Sequence, residues 1–510
     1  MNDWTAGYRA DITYTHGYYP ELNPARMALP LLKAGIVPPS VTNACELGFG
    51  QGVSINVHAA AGAARWYGTD FNPAQAGYAR SLAAAAGSPA ALHDEAFEQF
   101  CQRDDLPEFD FIALHGIWSW ISDTNRQHIV DLLARRLRVG GVLYISYNTQ
   151  PGWAAFAPLR HLLHAHAETL AAPGRNIEDR IGDAIGFAER LMDTNPAYAR
   201  ANPQIAERLK KLREQNRQYL AHEYFNASWQ PMHVDTLADW LAPARLTFAC
   251  SAHPLDTVDS INLTDDQQQL LRDIPDPLLR ESTRDFMVNQ QFRRDYWIKG
   301  RRELDALTRL EALRDLSVVL VTPADDVPLK VNGALGEATL TESVYAPVLR
   351  QLGDHRPRRL GELETSLADH GLNLPQLVEV ATILSGAGHL HLVQPDTRAT
   401  TDSCGKLNRA LMKQARGAGS VAHLASPVTG GGLSVGRFAQ LFLLAREAGY
   451  QTPKDWAHYA WDLLNAQGQR LVRDGAPIES AQDNLAELEA QALTFDEKAL
   501  PALLALGVAV

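Results

Sequence analysis

The sequence has few cysteines, no long hydrophobic run and no excess of positive charge. Its four cysteines, Cys45, Cys101, Cys250 and Cys404, include no C-x-x-C pair. This argues against a disulfide framework and against a zinc site, and it favours a reducing compartment. No run of about 18 apolar residues is present that would span a bilayer, and residues 1–4 lack the basic start of a signal peptide. We therefore expect a cytoplasmic protein with no metal and no membrane partner.

The charge balance disfavours another class of partner. The net charge of the 510 residues is -12 at pH 7, whereas non-specific nucleic-acid binding depends on a basic surface that releases counterions from phosphates. With 46% hydrophobic and 21% charged residues, the composition is that of an ordinary globular protein. The length exceeds what one hydrophobic core supports, so we expect about two to four domains.

What the sequence does contain is a closely spaced set of glycines, Gly48, Gly50 and Gly52, after a short apolar stretch from Val41 to Leu47. Glycine permits positive φ angles and a close approach of backbone to a ligand. A strand, such a turn and then a helix are typical of a nucleotide-binding loop. In the dinucleotide fingerprint the third glycine follows the second by three positions, which is not the spacing here. With Glu46, the pattern E-x-G-x-G-x-G resembles motif I of the class I S-adenosylmethionine (SAM) methyltransferases, with a flavin or nicotinamide site as the alternative.

Acidic residues after the next two predicted strands extend the nucleotide interpretation. Asp70 comes about twenty residues after the glycine loop, where a carboxylate accepts hydrogen bonds from ribose hydroxyls. Phe71 beside it is expected to cover one face of the adenine. In methyltransferases of this class an Asp at the third strand end accepts from the adenine amino group, and Asp94 fits this place better than Glu95. Phe97, which follows in the same segment, is assigned to the cofactor site as well.

Aromatic and polar residues follow the fourth and fifth predicted strands, Phe109 to Leu114 and Val142 to Ser146. In an open α/β sheet, ligands bind at the carboxyl ends of the strands. The candidate catalytic residues are therefore His115, Trp118, Tyr147 and Asn148, with His115 also able to orient the cofactor. The candidate walls of an acceptor pocket are Trp118, Trp120, Tyr147 and Trp153. No N-P-P-Y type motif is present, so an exocyclic amine of a nucleobase is a poor substrate.

Tyrosines cluster ahead of the first strand, where a methyltransferase of this class folds a segment over its cofactor. We assign Tyr14 and Tyr18 to the cofactor and Tyr19 to the acceptor pocket. The alternative is that these side chains pack the N-terminal arm on the domain.

Four segments together carry a more specific resemblance: Tyr18-Tyr19-Pro20, ELGFGQG, FDFIALHGIWSW and GGVLYISYNTQPGW. They resemble the bacterial methyltransferases that carry a methyltransferase regulatory domain, the family of the rickettsial protein-lysine methyltransferases. The resemblance implies an α/β fold with a Rossmann-like seven-stranded sheet, SAM as the cofactor and SN2 methyl transfer to a protein lysine. It also implies that the protein substrate is a surface or outer-membrane protein met before export.

Two other functions remain open from the sequence. One is a methyltransferase that acts on a small molecule or tailors a peptide, with the C-terminal half serving as a scaffold for a homodimer. The other is a regulator that senses SAM without transferring its methyl group.

The order of predicted elements divides the chain into five regions. These are a SAM-binding core (1–154), a helical insertion that acts as a lid or in dimerisation (155–225), the rest of the methyltransferase sheet (226–300), a winged-helix-like domain (301–400) and a helical C-terminal domain (401–510). We expect the residues from about 301 onward to contact a protein substrate or a second subunit rather than the cofactor.

Overall fold

The computed structural model describes residues 15–170, 175–395, 398–417, 421–473 and 475–509. Its main sheet has seven strands: β1 Asn43–Leu47, β2 Arg65–Thr69, β3 Ala91–His93, β4 Phe109–Leu114, β5 Leu137–Asn148, β6 Leu246–Ser251 and β7 Phe292–Lys299. Their order across the sheet is β3-β2-β1-β4-β5-β7-β6. Strands β1 to β5 run parallel, and β7 is antiparallel to both β5 and β6. This confirms the predicted Rossmann-like seven-stranded α/β fold.

Helices flank this sheet in the alternating order that parallel strands require. Before β5 they are α1 Ala28–Lys33, α2 Val53–Ala61, α3 Pro73–Ala86, α4 Phe97–Cys101 and α5 Asp123–Arg136. The bounds of α3 show how local sequence sets them. The side chain of Asn72 accepts hydrogen bonds from the first turn, and Gly87 ends the helix at a φ of 64°, a left-handed conformation that glycine adopts without strain.

The predicted helical insertion forms between β5 and β6. Its helices are α6 Ala157–Thr169, α7 Ile177–Asp193, α8 Ala197–Ala201, α9 Gln204–Glu214 and α10 Arg217–Tyr224. They have an apolar cluster of their own that includes Phe156, Leu163 and Ile181. Four further helices complete the sheet region: α11 Val234–Leu241, α12 Asp259–Asn262, α13 Asp265–Arg272 and α14 Pro277–Val288.

The region predicted as winged-helix-like contains the expected helices and outer strands. Its elements are α15 Ala306–Asp315, β8 Ser317–Leu320, β9 Lys330–Gly333, β10 Gly336–Thr339, α16 Glu342–Leu352, β11 Arg358–Arg359, α17 Leu360–Ser366, α18 Leu374–Gly386 and β12 Leu390–Leu392. Strands β11, β8 and β12 form an antiparallel sheet. The stretch 322–336 contributes to the hairpin β9–β10, in which Gly336 pairs with Gly333 and has a φ of 108°. The winged-helix assignment itself stays a prediction.

The last region is mostly helical, as predicted. It contains α19 Thr401–Ala415, β13 His423–Ser426, β14 Gly431–Ser434, α20 Arg437–Glu447, α21 Pro453–Ala466, β15 Val472–Arg473, β16 Ala476–Pro477, α22 Ala481–Thr494 and α23 Leu500–Ala505. The antiparallel hairpin β13–β14 interrupts the helices. Within the described parts of the chain, no helix combines the length and apolar character needed to cross a membrane.

This C-terminal region shares a hydrophobic core with the SAM-binding core. Helix α19 packs on both α2 and α3, and the β13–β14 hairpin packs on α2. Val53 and Val57 of α2 belong to the same buried cluster as Leu407 and Leu411 of α19. Residues beyond 301 thus support the helix that follows the glycine loop, because that helix carries apolar residues on the side away from the sheet. The expected contact of this region with a protein substrate or a second subunit stays a prediction.

We predict that Leu411→Ala destabilises the methyltransferase region together with the C-terminal region. Removing a fully buried leucine costs about 2–5 kcal/mol of unfolding free energy, and Leu411 is 1% exposed in the shared cluster. Denaturant unfolding, followed by tryptophan fluorescence and by circular dichroism, should show one shifted transition with both probes. Lys413→Ala, at an exposed position of the same helix, is the control. A separate, unshifted transition for the sheet region would contradict the shared core.

Candidate active site

The glycine loop lies between β1 and α2 at the carboxyl edge of the sheet. Gly48, Gly50 and Gly52 have φ angles of 73°, 57° and 68°, which residues other than glycine rarely adopt. Space is limited as well. A Cβ atom at Gly48 would lie 2.5 Å from Cδ1 of Ile117, and one at Gly52 would lie 2.4 Å from Cβ of Ala79. The loop therefore presents bare backbone at the place where the sequence predicted a cofactor.

Glu46 is a buried acid at the start of this loop. Its side chain is 3% exposed, and its Oε2 atom has no hydrogen-bond partner among the described residues. Burial, and then the nearby charge of Asp70, raise the pKa of Glu46 well above its usual value. An unpaired buried carboxyl group is costly, so this site suits a ligand that brings a positive charge.

Asp70 connects the end of β2 to the loop. One carboxylate oxygen accepts the N–H of Gly50 at 2.8 Å, and the other accepts the N–H of Asn72 at 3.0 Å. Burial raises the pKa of Asp70 to about 6, although both backbone hydrogen bonds oppose that rise. Each oxygen keeps a second lone pair that a ribose hydroxyl can use. Phe71 follows directly and is partly buried.

The end of β3 holds the two acids that the sequence analysis compared. Asp94 is exposed and pairs with Arg80 at 2.6 Å. Glu95 is more enclosed: one of its oxygens pairs with Arg103 at 2.6 Å, and Oε2 is buried without a hydrogen-bond partner in the described chain. The role of Asp94 at the adenine stays a prediction, with Glu95 as a neighbour that the structure makes equally relevant. Phe97 lies 3.8 Å from the Cβ position of Gly48 and so contributes to the wall beside the loop.

A cavity of about 350 Å³ opens beside the ends of β4 and β5. Five of the residues predicted for catalysis or acceptor binding line it: Tyr19, His115, Trp120, Asn148 and Trp153. Two of the indoles are fixed by hydrogen bonds, from Trp120 Nε1 to the carbonyl of Glu223 at 3.2 Å and from Trp153 Nε1 to the carbonyl of Gln291 at 2.7 Å. The Nδ2 atom of Asn148 is buried with no partner among the described residues. The cavity therefore combines fixed aromatic walls with an available amide donor.

His115 is the polar centre of this cavity wall. Its ring stacks on Tyr19 with centroids 3.9 Å apart, and its Nδ1 atom lies 2.9 Å from the hydroxyl of Tyr144. Burial lowers the pKa of His115 to about 4. The imidazole is therefore neutral near pH 7, where it can orient a ligand by hydrogen bonding but carries no positive charge that would repel a cation.

Two predicted site residues lie in the core instead of the cavity. Trp118 is fully buried, with its Nε1 atom 3.3 Å from Sδ of Met232. Tyr147 is also fully buried, and its hydroxyl donates to Asp295 at 2.9 Å. The prediction of catalytic and acceptor-binding roles for both is wrong in placement. Tyr147 lies in the core because neighbouring residues of a strand point to opposite faces, and Asn148 is the one that faces the cavity.

Tyr18 is committed to a different contact. Its hydroxyl accepts the N–H of Gly432 at 2.7 Å and lies 3.0 Å from Nε2 of His58. The ring also packs on His423 of the β13–β14 hairpin. This corrects the assignment of Tyr18 to the cofactor: it packs the arm on the protein, which was the stated alternative. Tyr14 lies outside the described residues.

Sequence reasoning missed the cavity wall contributed by α10. Tyr219, His222, Glu223 and Tyr224 all line the cavity. The available signal was helical spacing, since residues separated by three and four positions lie on one face of a helix, as Tyr219, His222 and Glu223 do. Burial raises the pKa of Glu223 to about 7. The histidines of α6 form no metal site, and no group of three potential ligands that could hold a metal ion occurs in the described part of the chain.

A parallel sheet with this strand order, an antiparallel seventh strand and an acid-glycine loop at its carboxyl edge defines a class I SAM-dependent methyltransferase. Comparisons with known proteins agree. A family model described as a methyltransferase domain matches residues 44–141, and one described as a predicted methyltransferase regulatory domain matches residues 216–299.

An uncharacterized protein of Synechocystis sp., sll1526, is 38% identical over 515 residues, which cover 99% of each chain. An uncharacterized protein of Rickettsia prowazekii, RP789, is 27% identical over 304 residues, 56% of this chain and 51% of that protein. The structure of PKMT2 from Rickettsia typhi in complex with AdoHcy shares the fold with a TM-score of 0.68 at 16% identity, over 97% of this chain and 99% of that one. The chain belongs to the family of class I SAM-dependent methyltransferases with a methyltransferase regulatory domain.

The residues of the loop fit SAM. Its amino group and sulfonium are both cationic, which suits the unpaired buried carboxyl group of Glu46. Its ribose suits Asp70, whose oxygens already hold the loop through Gly50 and retain accepting capacity. The backbone at Gly48 and Gly52 has no room for side chains.

We predict that Asp70→Ala weakens SAM binding about 10- to 150-fold, since hydrogen bonds to a charged group contribute roughly 1.5–3 kcal/mol. In the wild type, affinity should fall as the pH drops below about 6, the pKa of Asp70, because the protonated group is a poorer acceptor. This part of the pH dependence should be absent in the variant. Calorimetry measures both effects, with Asp104→Ala at an exposed position as the control. Unchanged affinity in Asp70→Ala would contradict the assignment.

A pair of glycine substitutions tests the shape of the loop. Gly52→Ala adds a methyl group against Ala79 at a positive φ, so we expect lower thermal stability and weaker SAM binding. Gly77→Ala lies in α3, where the added methyl group meets no atom within 4 Å. It should raise stability by about 0.5–1 kcal/mol. Thermal unfolding with and without SAM compares the two, and equal behaviour would show that the tight packing at Gly52 is unimportant.

Proposed function

We propose that this protein transfers the methyl group of SAM by SN2 displacement to the side-chain amine of a lysine in a protein. The supporting observation is the cavity at the carboxyl ends of β4 and β5, whose lining includes Trp120, Trp153 and Tyr19. At about 350 Å³ it is near the lower limit for a small-molecule pocket. Its aromatic lining suits the unbranched side chain of a lysine that enters end first.

Methyl transfer from SAM depends more on the positioning of the acceptor than on acid or base catalysis at the donor. SAM supplies an already activated methyl group on sulfur. The chain's own residues have to hold the acceptor nitrogen in line and exclude water. A lysine amine has a reference pKa of about 10.4, and an apolar aromatic surrounding favours its neutral, nucleophilic form.

A protein acceptor agrees with the family resemblance to the rickettsial protein-lysine methyltransferases. The 16% identity to PKMT2 is evidence for the fold, so the acceptor is part of the proposal. On this proposal the substrate is a surface or outer-membrane protein that meets the enzyme in the cytoplasm before export. On the same proposal, the insertion and the region after residue 301 select the substrate by contacts remote from the reacting lysine.

The test is incubation with SAM carrying a radiolabelled methyl group and a cell lysate separated into proteins, nucleic acids and small molecules. We expect label in the protein fraction, on lysine after complete hydrolysis. The variant Asp70→Ala is the matched negative control, because its cofactor binding is weakened. Label only among small molecules would indicate a tailoring methyltransferase. SAM binding without any transfer would indicate a sensor, and either result would refute the proposal.

A further inference from the structure

We propose that Glu223 is a catalytic residue that binds the ammonium group of the acceptor and accepts its proton before methyl transfer. The inference rests on the proposed function, since it requires an amine acceptor, and it assigns the base for that reaction. It comes from the position of Glu223 on α10, which covers the cavity at the carboxyl edge of the sheet.

The position of Glu223 is fixed by its neighbours. Its backbone carbonyl accepts the indole N–H of Trp120 at 3.2 Å, which ties the insertion to the segment after β4. Three residues further on, the Nδ2 of Asn226 donates to the carbonyl of His222 at 2.6 Å in a buried contact. The carboxyl group is therefore presented by a held helix end and not by a free loop, as a proton acceptor requires.

Among the described residues, no charged group around the cavity pairs with the carboxyl group of Glu223, so that group is available to a ligand. No Lys or Arg forms an ion pair with Glu223 in the described parts of the chain. His115, which also lines the cavity, is neutral near pH 7, because burial lowers its pKa to about 4. Arg208 of the insertion has its guanidinium carbon 4.2 Å from the ring centroid of Trp153 and interacts with Tyr224. The remaining titratable neighbours on the wall are Tyr19, Tyr219 and His222.

The protonation equilibrium of the Glu223 carboxyl group suits a proton acceptor. Burial alone raises the pKa of Glu223 to about 7, so near neutral pH the group exists in both forms and exchanges protons readily. An arriving ammonium supplies the positive charge that a desolvated carboxylate lacks. Burial also raises the pKa values of Tyr219 and Tyr224, so both phenols stay protonated and do not compete as bases.

The step balances as follows. The ammonium R–NH₃⁺ gives one proton to the Glu223 carboxylate and becomes R–NH₂. Its lone pair forms the new N–C bond while the C–S bond breaks and its electron pair stays on sulfur. The products are R–NH₂⁺–CH₃ and S-adenosylhomocysteine, and Glu223 releases its proton to water before the next turnover.

The experiment compares wild type, Glu223→Gln and Glu214→Gln for methylation of the labelled protein across a range of pH. Glu214 lies exposed on the same insertion, so its variant removes the same charge away from the cavity. We expect kcat/KM of Glu223→Gln at pH 7 to fall by about 100-fold or more, with SAM affinity unchanged by calorimetry. The wild-type profile should rise through a pH near 7, and Glu223→Gln should lack that rise but recover at high pH, where the amine is neutral. A structural role would instead reduce the rate equally at every pH, and that outcome overturns the proposal.

A binding measurement separates failure of this inference from failure of the proposed function. The probe is Nα-acetyl-lysine methylamide, with its norleucine counterpart as control, added to the complex with S-adenosylhomocysteine and observed by saturation-transfer NMR. Selective binding of the lysine probe to wild type, lost in Glu223→Gln, supports the ammonium site even if no protein in the lysate is methylated. Equal binding of the lysine probe to wild type and to Glu223→Gln overturns the proposed ammonium site.

Discussion

The burial of helix α2 on both of its sides is the constraint on which the rest of the structure depends. The helix begins directly after Gly52, and Ala59 is the only one of its residues Val53–Ala61 that is not buried. The sheet covers one side, while α19 and the β13–β14 hairpin cover the other. The polar side chains of Ser54, Asn56 and His58 are buried along with the apolar ones, so the helix needs cover on both of its sides. Elements some 350 residues further along the chain supply one of these covers. The helix that follows the glycine loop therefore depends on the C-terminal region for part of its packing.

The N-terminal arm connects the C-terminal region to the acceptor cavity through two consecutive tyrosines. Tyr18 turns towards the C-terminal hairpin and bonds to the backbone of Gly432, while Tyr19 turns the other way and stacks on His115. Alternation of side chains in extended backbone is enough to produce this split. Asn23 adds a second contact, donating to the carbonyl of Thr429 at 3.0 Å. The arm is thus held on one side by the hairpin and forms part of the cavity wall with the other.

Features with a local cause were predictable from the sequence, and features that depend on tertiary packing were not. The strands, the glycine loop and Asp70 follow from apolar runs and spacing, and the structure brings them to one sheet edge. Assigning both Tyr147 and Asn148 to the cavity overlooked strand alternation, a rule that sequence alone supplies. Glu223 had no such signal strong enough to single it out. It lies in an insertion, and only the packing of α10 on the segment after β4 brings it to the same cavity as His115.

Tyr147 shows why an aromatic residue at a ligand-binding edge need not contact a ligand. Its hydroxyl donates to Asp295, which also receives a hydrogen bond from Arg293 at 2.8 Å. Arg293 is 4% exposed and is paired further with Asp285 and Glu281. A buried guanidinium is tolerated only when several acceptors surround it, and Tyr147 supplies the remaining polar contact to one of them. The two faces of β5 therefore have different roles. On one face, Tyr147 contributes to the polar contacts around a buried charge. On the other face, Asn148 offers an unpaired amide to the acceptor cavity.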